Sequence, residues 1–165
     1  MSPNDWEECF LLHQRSYGDT SIIAEIFTRK SGKMSVIARG AKKPKSKFFG
    51  YLVPFSKLQI TYSGRSELKT LTNIDRDLSL IDNNLSKKSY SLLYINELMI
   101  KLLPKDAANE DLFNLYSNFI EASVKEIDMR FLLRSFELDL LDMLGYGINF
   151  QTDIDAHEPI EAALD

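Results

Sequence analysis

One short stretch of the chain concentrates positive charge. Residues 29–47, RKSGKMSVIARGAKKPKSK, hold eight lysines and arginines and no acidic residue, in a chain of 165 residues whose formal net charge is -4. Like charges packed this closely repel one another, so a block of one sign usually marks an anionic partner. We interpret this partner as nucleic acid. The alternative is a solvated loop, because charge runs are common in loops.

The charge is also divided unevenly along the chain. Residues 1–79 carry 13 Lys and Arg against 8 Asp and Glu, and residues 80–165 carry 7 against 16, which gives net charges of +5 and -9. An asymmetry of this size favours a basic module that meets a polyanion and an acidic module with another task. We therefore predict two domains, residues 1–79 and residues 80–165.

The residue types that catalysis or metal binding needs are not gathered in this sequence. The segment GAKKPKS (40–46) lacks the second glycine that a phosphate-binding loop places before its Lys-Ser pair. Cys9 is the single cysteine, so no internal disulfide forms, and neither His13 nor His157 has Cys or His at ligand spacing around it. We expect no enzyme activity, no metal site and no cofactor.

The sequence predicts neither a membrane segment nor a secretory leader. Its longest apolar runs, such as SLLYINELMIKLL, are interrupted by Asn96, Glu97 and Lys101 and fall short of the roughly 20 apolar residues that a bilayer span needs. The N-terminal MSPNDWEECF is acidic and lacks an apolar core. We expect a cytoplasmic protein that associates with the nucleoid.

The first half of the chain has the pattern of short strands. Turn-forming residues separate the runs, as at Ser31 and Gly32, and Pro44 and Gly50 mark AKKPKSKFFG as a loop. The five predicted strands are CFLLHQR (9–15), TSIIAEIFTRK (20–30), KMSVIARGA (33–41), LQITYS (58–63) and ELKTLTNI (67–74). Five such strands in under eighty residues predict a small closed barrel or half of a sandwich. We expect His13 to be a half-buried strand residue.

After residue 74 the period changes to that of helices. Apolar residues three or four apart predict one helix over 87–103 that Pro104 ends, a second that Asn109 caps, and a third that Asp128 caps and Gly145 ends. The predicted inward residues are Leu92, Ile95, Met99 and Leu102, then Leu112, Phe113, Tyr116, Phe119, Ile120 and Ile127, then Leu133, Phe136, Leu140 and Leu144. The sequence therefore predicts an α+β protein in which a five-stranded barrel precedes an all-α domain.

A barrel can bind single-stranded nucleic acid through a cationic groove, which displaces counterions, and through aromatic rings on which bases stack. The predicted DNA contacts are Arg15, Tyr17, Arg39, Lys42, Lys43, Lys45, Lys47, Arg65 and Lys69. The candidates for stacking are Tyr17, Phe48, Phe49, Tyr51 and Tyr62, although a single phenylalanine in KSKFFGY is more often a core residue. Because the block offers lysine point charges, we expect no base-specific readout.

Four segments of the chain resemble the RecO family of bacterial recombination mediators. They are LLHQRSYGDTSIIAEIFTRKSGKMSVIARGAKKPKS, PFSKLQITYSGRSELKTL, LLYINEL and FELDLLDMLGYGINF, in family order. The resemblance implies an N-terminal oligonucleotide-binding (OB) barrel and a helical domain. It also implies binding of single- and double-stranded DNA, annealing of complementary strands and, with RecR, the loading of RecA onto strands coated by the single-stranded-DNA-binding protein (SSB).

Two features depart from the family pattern. Many relatives carry a four-cysteine zinc module shortly after the segment that matches Gly145 to Phe150, and QTDIDAHEPIE has no cysteine here, so we expect no zinc. The family also continues with further helices beyond the position of Asp165. We therefore expect the helical domain to be incomplete and its apolar faces to be exposed.

The resemblance further implies that the helical domain binds the acidic, Phe-terminated tail of SSB. Such a peptide needs a cation for its terminal carboxylate and an apolar pocket for its ring. Cations are scarce after residue 105, so the hypothesis places the site on the third helix, at Arg130, Leu133, Arg134 and Phe136. In the alternative, the two arginines pair with Glu126, Asp128 or Glu137.

A different class of function stays open. In this alternative the chain is a non-catalytic protein-interaction module, whose basic barrel docks an acidic protein partner and meets DNA only incidentally. The salt dependence of binding separates the two, because affinity for single-stranded DNA falls with salt in proportion to the number of neutralised phosphates.

Overall fold

The computed structural model describes residues 6–76, 85–125 and 127–147. The strands are β1 (Glu7–Tyr17), β2 (Ser21–Thr28), β3 (Gly32–Ala38), β4 (Lys57–Ser63) and β5 (Leu68–Arg76), and the helices are α1 (Leu85–Leu102), α2 (Glu110–Ser123) and α3 (Met129–Met143). The predicted α+β class, with a barrel before the helices, is confirmed. The predicted boundary between residues 79 and 80, and His157, lie outside the described residues.

The five strands close into a barrel in the order β1-β2-β3-β5-β4. All neighbours are antiparallel except β3 and β5, which are parallel. The long β1 serves two neighbours, since its residues 7–10 pair with β4 and its residues 9–17 pair with β2. This is the arrangement of an OB fold, so the closed barrel is confirmed and the sandwich is not formed. The predicted third strand is too long, because residues 39–41 already belong to the connection that follows β3.

The strand register defines two ends of the barrel. The β2–β3 turn and the β4–β5 connection lie at one end, because β4 runs antiparallel to β1 and finishes where β1 begins. We call this the hairpin end. The β1–β2 turn (18–20) and the β3–β4 connection (39–56) lie at the opposite end, which we call the loop end. A seven-residue strand such as β3 spans about 23 Å, which is roughly the distance between the β2–β3 turn and the start of the β3–β4 connection.

Side chains alternate along the strands between two separate apolar cores. Ile26 points into the barrel, whereas Phe10 and Phe27 point out of it and pack against the helices. Their rings lie 5.0–6.3 Å from those of Phe113 and Tyr116 on α2, in tilted or edge-on geometry. Both faces of this part of the barrel are therefore buried, and the outer face fastens the barrel to the helical domain.

A buried amide completes the joint between barrel and helices. Asn96 of α1 is 2% exposed, and its Nδ2 donates to the carbonyl oxygen of Leu12 at 2.9 Å. The hydroxyl of Tyr116 donates to the Oδ1 atom of Asn96. A buried polar group left without a partner costs about 1–3 kcal/mol, so this side chain specifies how α1 and α2 sit on β1.

The predicted caps at Asn109 and Asp128 and the predicted stop at Gly145 are confirmed. The side chain of Asn109 accepts a hydrogen bond from the backbone N–H of Leu112, and that of Asp128 accepts one from the N–H of Arg130. Gly145 follows the end of α3 with φ of +82°, a conformation that glycine adopts without steric cost. No helix of the described ranges is long and apolar enough to cross a bilayer.

Three predicted burials are wrong. Leu102 is 40% exposed, and Leu103, at 5%, takes its place in the core because α1 ends between them. Ile127 lies beyond the end of α2 and is 39% exposed. His13 follows an irregularity in the pairing of β1 with β2 and is exposed rather than half-buried.

Candidate nucleic-acid interface

The basic block of the sequence is divided between the two ends of the barrel. Arg29, Lys30 and Lys33 flank the β2–β3 turn at the hairpin end. The remaining five cations follow β3 at the loop end. These are Arg39, Lys42, Lys43, Lys45 and Lys47. The charge that looks continuous in the sequence therefore forms two separate groups in the fold.

Arg29 is an internal tether. Its Nε donates to the carboxylate of Glu8 at 2.8 Å, and its Nη1 donates to Glu110 at 3.1 Å and to Asn114 at 2.8 Å. The guanidinium carbon also lies 4.5 Å from the centroid of the Phe113 ring. Since Glu8 belongs to β1 and the other three residues to α2, Arg29 joins the barrel to the helices, and its guanidinium is already occupied.

The rest of the hairpin is packed just as closely. Lys33 is 7% exposed, its ammonium donates to the carbonyl of Ile100, and burial lowers its pKa below the ordinary value. The backbone N–H of Asp106 donates to the carbonyl of Lys33 at 2.9 Å. Gly32 has φ of +77°, and a Cβ there would lie 2.1 Å from the carbonyl oxygen of Ala107. The connection between α1 and α2 thus rests directly on this turn.

At the loop end, the connection after β3 is fixed by lysines that are themselves candidate contacts. The backbone N–H of Lys42 donates to the carbonyl of Thr20 at 2.9 Å, and its ammonium donates to the carbonyl of Gly18 at 3.1 Å. The ammonium of Lys47 donates to Oδ1 of Asn73 at 3.0 Å. These bonds hold the connection against the β1–β2 turn and against β5.

The large apolar and aromatic residues of this connection are divided between the core and the surface. Phe48 and Leu52 are 7% and 8% exposed and belong to the core of the barrel. Phe49 is 52% exposed and Tyr51 is 38% exposed. Phe48 is therefore a core residue and not a stacking platform. Tyr17, which is 51% exposed, presents a third ring to solvent at the same end.

Most of the predicted DNA contacts meet at the loop end. Tyr17 pairs with Ser21 of β2, and Ala38 of β3 pairs with the next residue of β2, so Arg39 lies across β2 from Tyr17. Within the part of the chain that the structure describes, no salt bridge engages the six cations among these predicted contacts. They are Arg15, Arg39, Lys42, Lys43, Lys45 and Lys47. Their charge is therefore uncompensated by direct pairing.

Two of the predicted contacts lie apart from this group. Arg65 lies at the hairpin end and Lys69 pairs with Val36 in the middle of β3, and both line a cavity of about 860 Å³ together with Lys30, Tyr62 and Asp106. Tyr62 is half-buried, and its hydroxyl donates to the carboxylate of Glu7 at 3.1 Å. The predicted set of DNA contacts thus forms two groups, one at the loop end and one around this cavity.

The predicted peptide site on α3 corresponds to a smaller cavity of about 280 Å³. Its lining residues are Tyr94, Arg130, Leu133, Arg134 and Glu137. Phe136 does not line it, since this ring is 2% exposed and packs in the core 4.8 Å from that of Phe119. Tyr94 was not predicted, because it comes from α1 and only the packing of α1 against α3 brings it here.

Both arginines of this cavity have carboxylate partners. Arg130 pairs with Asp128 at 3.0 Å, and Arg134 pairs with Glu137. The hydroxyl of Tyr94 donates to the other oxygen of Glu137 at 2.7 Å, and this hydrogen bond raises the pKa of the tyrosine. A peptide carboxylate that binds here must therefore compete with an existing carboxylate.

The fold and this surface define the class of the protein as an OB-barrel protein with an attached helical domain. Residues 1–76 match the family model described as recombination protein O N terminal, and residues 86–164 match recombination protein O C terminal. The DNA repair protein RecO of Hamiltonella defensa is 39% identical over 161 residues, which are 96% of this chain and 68% of that protein. The chain belongs to the RecO family of DNA repair proteins.

Two further relatives show the same extent of similarity. The DNA repair protein RecO of Pseudoalteromonas atlantica is 38% identical over 92% of this chain and 62% of its own length. That of Actinobacillus succinogenes is 33% identical over 99% of this chain and 69% of its own length. The chain thus spans about two thirds of the length of the curated relatives that it matches.

Proposed function

We propose that this chain is a DNA-binding mediator of recombinational repair that acts by binding and not by catalysis. It binds single- and double-stranded DNA, anneals complementary strands and, with RecR, helps to load RecA onto SSB-coated single strands. The observation that supports this function is the loop end, where six cations without salt-bridge partners in the described ranges lie on the barrel of a DNA repair family.

The lysines of the loop end divide the work of binding a phosphate chain. Lys42 and Lys47 each donate one of the three N–H groups of the ammonium to a protein oxygen. This hydrogen bond fixes the position of the side chain and leaves two donors for phosphate. Lys43 and Lys45 are exposed, and their ammonium groups make no hydrogen bond within the described residues. Lys42 and Lys47 thus hold the loop in place, and Lys43 and Lys45 on the same loop contact the phosphates of DNA.

Contacts of this kind are compatible with annealing. Phosphate contacts position a strand without reading its base edges. The Watson–Crick edges of a strand held by lysines therefore stay available to a complementary strand. The same contacts attract a duplex, whose phosphates carry the same charge.

Replacement of Lys42, Lys43, Lys45 and Lys47 by alanine tests the proposal. If all four contact phosphate, the slope of log affinity against log salt for a labelled single strand falls by nearly 3, because each phosphate contributes about 0.7. Fluorescence anisotropy over a range of salt measures the slope. The matched control replaces three exposed lysines of the helical domain, Lys101, Lys105 and Lys125, and leaves the slope unchanged. An unchanged slope in the four-lysine variant rejects DNA binding by this surface and favours the docking of an acidic protein.

We also propose that the cavity on α3 takes the C-terminal tail of SSB. Arg130 and Arg134 supply charge for the terminal carboxylate, and Leu133 supplies an apolar wall that Phe136 supports from the core. Arg134→Ala weakens the binding of a tail peptide. Glu137→Gln removes the competing carboxylate and strengthens it. Titration of the peptide by anisotropy measures both, and unchanged affinity in the two variants rejects this site.

A further inference from the structure

A small cavity opens at the loop end beside the cationic connection. Its volume is about 320 Å³, and its lining residues are Phe49, Gly50, Tyr51, Asp75 and Arg76. The two rings come from the β3–β4 connection, and the acid and the arginine are the last residues of β5. The cavity is at the small end of the range for ligand pockets, so it suits one flat group and not an extended ligand.

The two rings are placed before any ligand arrives. The residues on either side of them, Phe48 and Leu52, are buried in the barrel core. The backbone N–H of Tyr51 donates to the carbonyl of Phe48 at 3.2 Å. Gly50, between the rings, has φ of +76°, which allows the tight turn that brings both rings to one cavity. Because the backbone that carries the rings is fixed, little backbone entropy remains to be lost when a ligand stacks here.

We propose that this cavity holds one unpaired nucleobase of a DNA strand whose phosphates contact the neighbouring lysines. The inference rests on the proposed function. Exposed aromatic rings beside a cationic track are the surface on which the bases of single strands stack. Lys47 and Lys45 lie two and four residues before Phe49, and the ammonium of Lys47 donates to Asn73, two residues before Asp75, so a strand that contacts these ammonium groups passes the cavity.

The wall of the cavity carries one charge of each sign, Asp75 and Arg76, so net charge does not select a phosphate as the occupant. The carboxylate of Asp75 is exposed and can accept hydrogen bonds from the exocyclic amino groups of adenine, cytosine or guanine. One of its oxygens accepts from the backbone N–H of Arg76 at 2.9 Å, which leaves the other oxygen for the ligand. Thymine has no amino group and binds most weakly.

The cavity distinguishes single strands from duplexes. A base within a duplex is stacked on both faces and paired at its edge, so it cannot enter without being flipped out. The lysines attract both forms of DNA, whereas the cavity adds affinity only for the unpaired form. When a bound strand pairs with its complement, the base must leave the cavity, and this contact is released as the duplex forms.

The test combines Phe49→Ala with Tyr51→Ala in the full chain. The probes are a single-stranded oligonucleotide that contains 2-aminopurine and a duplex of the same length. We expect affinity for the single strand to fall roughly 5- to 100-fold, because stacking of a base on aromatic side chains contributes that much. Affinity for the duplex stays within twofold of the wild type. The change in 2-aminopurine fluorescence on binding is lost.

Matched controls separate loss of the cavity from general damage. Tyr51→Phe keeps the ring and retains the single-strand affinity. Phe131→Ala removes a ring on α3 that is 73% exposed and leaves both affinities unchanged. Asp75→Asn reduces the preference for oligo(dA) and oligo(dC) over oligo(dT). Circular dichroism and thermal unfolding confirm that each variant is folded.

The outcomes distinguish this inference from the function on which it rests. If the two-ring variant loses single-strand and duplex affinity equally, or neither, the base site is rejected. If the four-lysine variant keeps its salt slope, the proposed function fails whatever the rings do. A four-lysine variant with a reduced slope, together with a two-ring variant that binds like the wild type, rejects the base site alone.

Discussion

The two ends of the barrel use the same residue types for different purposes. At the hairpin end, Arg29 donates to the carboxylates of Glu8 and Glu110, and Lys33 donates to the carbonyl of Ile100. These bonds hold the helices on the barrel. At the loop end, the cations of the β1 end and of the β3–β4 connection make no salt bridge within the described ranges; they are Arg15, Arg39, Lys42, Lys43, Lys45 and Lys47. A cation is therefore available to a ligand only where no anionic group of the protein already pairs with it.

This comparison separates stability from binding. Changes at the hairpin end are expected to lower the free energy of unfolding and to leave DNA affinity intact. Side-chain changes at the loop end are expected to lower DNA affinity and to leave the free energy of unfolding intact. The reason is that substitution of an exposed side chain away from packing contacts changes stability by no more than about 0.5 kcal/mol.

The largest expected effect is at a matched pair of glycines. Gly32 at the hairpin end and Gly18 at the loop end both have positive φ, of +77° and +55°. Alanine in this conformation costs about 1 kcal/mol at either position. A Cβ at Gly32 would also meet the backbone of Ala107 at 2.1 Å, and one at Gly18 would meet nothing within 4 Å. Overpacking adds about 1–3 kcal/mol, so Gly32→Ala is the more destabilising change.

Denaturant unfolding of the two alanine variants measures this difference. Equal losses of unfolding free energy would show that the α1–α2 connection moves away from the turn without cost. In that case the hairpin end is not the rigid joint described here. Gly18→Ala also serves as the control for backbone strain alone.

The next largest effect is expected for Arg29→Met. The substitution keeps an apolar chain beside Phe113 and removes the hydrogen bonds to Glu8, Glu110 and Asn114. Hydrogen bonds to charged groups contribute about 1.5–3 kcal/mol, so we expect the unfolding free energy to fall by about 2 kcal/mol. Single-strand affinity and its salt slope stay unchanged.

Lys30→Met is the matched control for this change. Lys30 is the adjacent cation and is exposed, and its side chain makes no hydrogen bond within the described residues. We expect its stability to stay within about 0.5 kcal/mol of the wild type. A reduced salt slope in Arg29→Met, at intact stability, would contradict the structural role of Arg29.

A smaller effect appears in the acid dependence of stability. Burial raises the pKa of Glu8. The hydrogen bond from Arg29 and the charges of Lys57 and Arg29 lower it by more than burial raises it, so the pKa lies below its ordinary value of 4.5. The stabilisation is therefore complete above pH 4.5 and is lost as the pH falls through the lowered pKa.

Glu8→Gln removes this contribution, which we expect to be about 1 kcal/mol at neutral pH. Unfolding free energies of the wild type and the variant differ at pH 7 and converge as the pH falls below 4.5. Parallel curves over this range would show that another carboxylate carries the acid dependence.

Much of this fold could be predicted from the sequence because the signals are local. Alternating apolar residues and turn residues predict the strands, and Asn109 and Asp128 predict helix starts through hydrogen bonds to residues two or three positions on. Burial at the helix ends could not be predicted in this way. Whether Leu102 or Leu103 enters the core depends on where α1 ends and what packs there, which is a property of the whole domain.

The division of the basic block could not be predicted either. Arg29 is separated from Glu110 by 81 residues, and Lys33 from Ile100 by 67, so no local pattern shows that these cations are occupied. The same holds for the cavity beside Phe49, where the fold brings Tyr51 of the β3–β4 connection close to Asp75 at the end of β5. Sequence predicts which residues carry charge, whereas topology decides which of them are free.

The smallest expected effect tests whether the hairpin end also contributes to binding. Arg65 and Lys69 line the cavity at this end and make no salt bridge within the described ranges, so by the rule above they are available to phosphate. Arg65 lies in the β4–β5 connection, whereas Lys69 pairs with Val36 in the middle of β3, about 10 Å along the strand from Arg39. Only a strand long enough to follow the barrel contacts both groups.

Replacement of both residues by alanine is therefore expected to have an effect that depends on strand length. With an oligonucleotide of about 16 nucleotides, the upper range for one OB barrel, the salt slope falls by about 1.4, which corresponds to two phosphates. With about 4 nucleotides, which bind at the lysine-rich loop end, the slope is unchanged. An equal reduction for both lengths would place Arg65 and Lys69 at the primary contact. No reduction for either would confine DNA to the loop end, because the free charge of the hairpin end would then lie off the path of the strand.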